Sequence, residues 1–190
     1  MNDYSEQLRQ IATGHALLAA CAALYLIWWC VFFRPRAQSP QGIEYVLGVA
    51  FILGAVAFGA IAVAKTVQAV GALPSAIPGF AVVVVAVALY VVLLIATTTI
   101  FNRPVTTELL LIVAWLALEA FVLSALVTTG MPAGMVALCA LLVVAAFVAS
   151  MVCYVLYYKL SGTAAFLDGC GPLVAVGILS TLFALILRLQ

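Results

Sequence analysis

Residues 80–101 read FAVVVVAVALYVVLLIATTTIF, a run with no charged residue. A helix needs roughly 20 apolar residues to cross the hydrocarbon core of a bilayer. This run meets that requirement and stops at Asn102-Arg103-Pro104. It therefore reads as a transmembrane helix. The same pattern repeats on both sides of it. Helix one is expected over 11–33 and stops at Arg34-Pro35-Arg36. Helix two is expected over 44–70, and Leu73-Pro74-Ser75 and Pro78-Gly79 mark the connection to helix three at 80–101. Helix four is expected over 105–129, with Thr106 as its N-cap. Gly130-Met131-Pro132 turns the chain into helix five at 133–158, and Lys159–Gly162 leads into helix six at 163–189.

Composition agrees with the pattern. Of 190 residues, 68% are hydrophobic and 7% charged, whereas soluble domains carry about 25% charged residues. The chain lacks the polar residues to wet its own surface, so lipid must cover much of it. The expected fold is all-α: a single transmembrane domain over 1–190, built as a bundle of six helices with short loops. The net charge of +1 provides no basic patch for nucleic acid. Leu18-Ala19-Ala20-Cys21 resembles a lipoprotein cleavage box, but Asp3 and Glu6 precede it and the apolar run continues to Phe33. A membrane helix is the better reading.

With the N-terminal face called side A, loops one, three and five fall on side B with Arg34, Arg36, Arg103 and Lys159. Side A holds Arg9, Lys65 and Arg188. The positive-inside rule then favours side B as cytoplasmic and both termini outside. Trp28, Trp29, Phe32, Phe33, Tyr45, Phe101, Tyr154, Tyr157 and Tyr158 all gather toward side B, as residues at headgroup level do. Short loops and no glycosylation acceptor suit a bacterial cytoplasmic (inner) membrane. Small residues mark close helix contacts in lipid. Ala12, Ala16, Ala19 and Ala23 on helix one, with Gly48, Gly54, Ala55 and Gly59 on helix two, predict the tightest packing between these two.

Five polar or aromatic residues are candidates for a substrate or ion pathway. Glu119 falls near the middle of helix four, where a charge costs several kcal/mol unless it faces the bundle interior or water. Glu108 lies three turns earlier, so Glu108, Trp115 and Glu119 share a face that could line a path from side B. Asp168 sits in Asp168-Gly169-Cys170-Gly171-Pro172, a segment whose composition permits local unwinding or a kink, as at transporter sites. With Thr97, Thr98, Thr99 and Asn102 it suggests a polar vestibule. His15, the single histidine, is expected near the side A interface. Without a Cys/His cluster no metal site is expected. No phosphate loop, nucleophile elbow, HExxH or dinucleotide fingerprint occurs, so neither a cofactor nor an enzymatic activity is expected.

These features favour a small-solute or ion transporter or channel. The alternative is a membrane-embedded ligand-binding or accessory subunit of a larger transport complex, and a third reading is a lipid-active or structural protein without a transported solute. The partners expected are the lipid bilayer, a small molecule or ion, and a second copy or a partner subunit. No inverted repeat is visible in the residues.

Overall fold

A computed structural model describes residues 4–35, 39–102 and 106–189. Arg36, Arg103 and Val105, used above for topology and helix bounds, lie outside the described residues, as does Asp3. Among the described residues the protein is all-helical. Six helices are long and apolar enough to span a membrane: α1 (Ser5–Phe32), α2 (Ile43–Gly71), α3 (Gly79–Phe101), α4 (Thr107–Leu126), α5 (Ala133–Leu156) and α6 (Gly162–Arg188). The protein is a multi-pass membrane protein.

Helix α1 begins well before the apolar run. Residues 5–10, outside the expected span of helix one, are helical because Glu6 accepts from Arg9 at 2.7 Å and from Gln10 at 3.0 Å, pairs one turn apart. Hydropathy marks where hydrocarbon begins, and these pairs carry the helix beyond it. Helix α3 ends on Asn102 in the left-handed conformation (φ 53°), whose N–H returns to the Thr97 carbonyl. Asparagine tolerates that conformation. Helix α4 ends at Leu126, three residues earlier than expected. Thr106 does occupy its N-cap position, but the hydroxyl bonds the Glu108 carboxylate at 3.1 Å rather than a backbone N–H.

The central packing is α1 against α2 and α6, and the α1–α2 contact is the most extensive in the molecule. The buried residues of α2 include Gly48, Ala55, Ala62 and Ala69, one every seven positions. That repeat keeps a seam facing its partner through several turns. At Gly14 of α1 a Cβ would overlap Thr66 Oγ1 and lie 3.1 Å from the Ala62 carbonyl. The alanine stripe on α1 is divided: Ala12 is buried, while Ala19 and Ala23 line a shallow outer groove against α6. Helix α3 stands at the periphery, packed on α4, and Thr97 is its only buried residue.

The aromatic residues expected at side B do meet there. Trp29 stacks on Phe33 at 4.2 Å and meets Tyr157 edge-on, Phe32 meets Tyr45, and Lys159 lies over Phe101. At side A the core is closed by Ile11, Val70, Leu73, Leu126, Met131, Phe183 and Leu187.

Candidate functional site

A cavity of about 820 Å³ lies among the helices, walled mainly by α1, α2, α4, α5 and α6. Pockets for small molecules commonly fall between about 300 and 1,000 Å³. Along α4 the lining runs from Glu108 to Phe121, about 20 Å at 1.5 Å per residue. The cavity is thus long and follows the helix axes. Most of its wall is aliphatic or aromatic. Tyr25 and Trp29 come from α1, Trp115 from α4, and Tyr154 from α5.

Three of the five candidate residues line this space: Glu108, Trp115 and Asp168. The two carboxylates belong to the side B part. Glu108 is in the first turn of α4, and Asp168 is in the second turn of α6. Among the described residues, no Lys, Arg or His is in the lining. Deeper in, two buried polar atoms have no hydrogen-bond partner among the described residues: Trp115 Nε1 and Ser150 Oγ. Trp115 is 8% exposed and Ser150 1%. An unpaired buried donor costs about 1–3 kcal/mol, so two in one cavity wall point to a group that satisfies them.

The Asp168 segment does not unwind. Helix α6 is continuous across Pro172. Its glycines serve close approach instead. A Cβ on Gly169 would be driven into the Trp29 ring, and one on Gly171 would come within 2.7 Å of Cys153 Sγ. Trp29 Nε1 donates to the Phe166 carbonyl at 3.2 Å and fixes this face of α6 against α1. Pro172 has no N–H to give the carbonyl of Asp168 four residues back. The threonines of α3 form no part of the site. Thr97, Thr98 and Thr99 turn their hydroxyls onto carbonyls of their own helix, those of Leu93, Leu94 and Ile95.

The other two candidates meet each other. His15 Nε2 lies 3.1 Å from Glu119 Oε2, and both side chains are buried (1% and 0% exposed). His15 is therefore buried inside the bundle rather than exposed at an interface, and Glu119 lies within three residues of the centre of α4, about 4 Å along the helix. Seven residues separate Glu119 from the side A end of α4 at Leu126, about 10 Å of helix. His15 Nδ1 is 2.9 Å from the Ile11 carbonyl, and a carbonyl only accepts, so Nδ1 carries a proton. The Nε2–Oε2 bond holds one more. The pair is neutral overall whichever atom holds that proton, which removes most of the cost of placing it in hydrocarbon. Phe183 of α6 stacks on the His15 ring at 5.0 Å. The arrangement ties α1, α4 and α6 together, and neither residue is in the cavity lining. Sequence spacing along α4 could place Glu119, but only the α1–α4 packing, 104 residues apart in the chain, pairs it with His15.

The cavity is open on one side. Val56, Val63 and Val67 of α2, Val83 of α3 and Leu111 of α4 belong to its lining yet are 44–64% exposed. They form the rims where α2 and α4 diverge, since these helices touch only over a short stretch. All five rim residues are aliphatic and lie within spanning segments, so the mouth faces hydrocarbon. Comparison of the chain with family models, curated proteins and solved structures returned no match.

Proposed function

We propose that this protein is a small-solute transporter of the cytoplasmic membrane, and that the α1–α2–α4–α5–α6 cavity is its solute site. The observation that carries the proposal is the meeting of Glu108 and Trp115, picked out in the sequence for their shared face of α4, with Asp168, picked out for its Gly/Pro segment, in one cavity of about 820 Å³. Two buried polar atoms in the same wall without partners among the described residues support occupancy by a ligand. The packed core beyond Phe121 at side A favours alternating access over an open channel. Glu119 and His15 then act as the clasp that holds α1, α4 and α6, rather than as steps on the pathway.

Native mass spectrometry of the protein gently extracted from its own membranes tests this. The expected result is a co-purifying small molecule that is lost from the Glu108→Gln/Asp168→Asn double variant and crosses reconstituted liposomes with the native protein. A protein that emerges empty, or a ligand indifferent to both carboxylates, would overturn the assignment. The accessory-subunit reading draws on one observation, the bare outer face of α3, where Val84, Val85 and Val92 are all more than 60% exposed. A stoichiometric protein partner in the same spectrum would favour it.

A further inference from the structure

Two groups in the cavity wall are buried, polar and unmet. Trp115 Nε1 on α4 and Ser150 Oγ on α5 have no hydrogen-bond partner among the described residues, and the two residues are 8% and 1% exposed. Trp115 is eight residues from the side B end of α4, and Ser150 is six from the side B end of α5, about 12 and 9 Å of helix. Leu109 and Val113 of α4 pack on Tyr154 of α5, which holds the helices in that register. The two groups therefore stand at similar depth. Beyond them the α4 wall continues as Ala117, Leu118 and Phe121, none of them ionisable. An indole N–H only donates, while a hydroxyl both donates and accepts. What meets the indole is therefore an acceptor. A charge at this depth, between apolar walls, is costly. The mouth between α2 and α4 is lined by exposed aliphatic side chains, Val56, Val63 and Leu111 among them, so it admits molecules already dissolved in hydrocarbon.

From this geometry we infer that the ligand is an elongated, uncharged, lipid-soluble molecule with a carbonyl-type oxygen near its middle, which enters sideways from the bilayer between α2 and α4. The oxygen accepts from Trp115 Nε1 and Ser150 Oγ, and the apolar remainder runs along α4 toward Phe121. The other end lies at Glu108 and Asp168, as in the solute-site reading on which this inference rests. A carbonyl finds no donor in hydrocarbon, so it gains hydrogen bonds on entering. A phospholipid carries its ester carbonyls at headgroup level and would bring none to this depth without burying its head.

The test uses the full chain in lipid nanodiscs and two tritiated long-chain primary alcohols, one with a ketone at mid-chain and one with a methylene there. Empty nanodiscs serve as the blank. The native protein should bind the keto alcohol about tenfold more tightly, the size of effect that two hydrogen bonds produce. That preference should weaken in Ser150→Ala and in Trp115→Phe, and vanish in the double variant. Both probes meet the same altered wall, so a change of cavity shape cancels in the comparison, and retained binding of the methylene probe shows that the variant is folded. Equal binding of the two alcohols by the native protein, the result if water alone meets Trp115 and Ser150, would overturn the acceptor assignment and leave the cavity as a site. A preference that survives in the double variant would overturn it as well. Leu111→Trp with Val56→Trp, at exposed rim positions, should slow entry of the keto alcohol, and entry at the native rate would overturn lateral entry. If neither alcohol binds above the blank, the inference fails. Native mass spectrometry then decides the rest: an empty protein ends the solute-site reading too, while a co-purifying ligand of another class leaves that reading standing.

Discussion

Helices α3 and α4 follow each other in the chain and pack together, yet their roles are opposite. Helix α3 has no acid or base, and only Thr97 of it is buried. Helix α4 carries Glu108 and Glu119 and buries eight residues, Glu119 and Ser124 among them. In water the more apolar helix would be the buried one. In a bilayer the solvent is itself apolar, so burial gives an aliphatic face little advantage, and association depends on close packing and polar contacts. The valines of α3 can therefore face lipid at no cost. The carboxylates of α4 cannot, and they draw that helix into the bundle.

The sharpest way to break this contrast is to remove the acid that holds α4 inside. Glu119→Ala leaves the buried His15 Nε2 without its partner. Breaking a buried pair from one side costs about 3–5 kcal/mol, to be read from equilibrium unfolding in mixed micelles. Glu119→Gln, which can still bond the imidazole, should keep most of the stability. A loss under about 1 kcal/mol for the alanine variant would show that the pair does not hold α4 in place.

Close packing, the second force, is tested at Gly14. Alanine there meets Thr66 and the backbone of Ala62, and overpacking of this kind costs about 1–3 kcal/mol. The Thr66 hydroxyl can rotate but the Ala62 carbonyl cannot, so a Thr66→Ala background should recover only part of the loss. Full recovery would mean that the two backbones are not in limiting contact.

A matched pair of truncations compares the two helices directly. Val122→Ala, in the α4 core, should cost about 1–3 kcal/mol through the cavity it leaves. Val92→Ala on α3, 61% exposed, should stay within about 0.5 kcal/mol. A large effect at Val92 together with a change in oligomeric state would show that another subunit covers α3. The smallest effect is expected at Ser150. Its hydroxyl has no partner among the described residues, so Ser150→Ala should leave the empty protein as stable as before or raise its stability by up to about 1–2 kcal/mol. Destabilisation would mean that the hydroxyl is already satisfied.

The sequence alone determined that this is a six-helix membrane protein, because length and hydropathy suffice when the solvent is hydrocarbon. It also determined which residues could not be idle: an acid inside a span is costly wherever the helix turns. The side B aromatic cluster was legible for the same reason, since depth follows from position along a helix. Rotation and partnership were not legible. Whether Glu119 lines a pathway or closes a clasp depends on where His15 lies, and no periodicity in α1 or α4 encodes a contact between helices so far apart in the chain. Gly169 and Gly171 suggested an unwound segment, and only the presence of Trp29 and Cys153 against them shows that they provide room. The cavity, its two carboxylates and its opening toward lipid belong to the tertiary structure, because they arise where α2 and α4 part, and a gap between helices is a property of their packing rather than of either one.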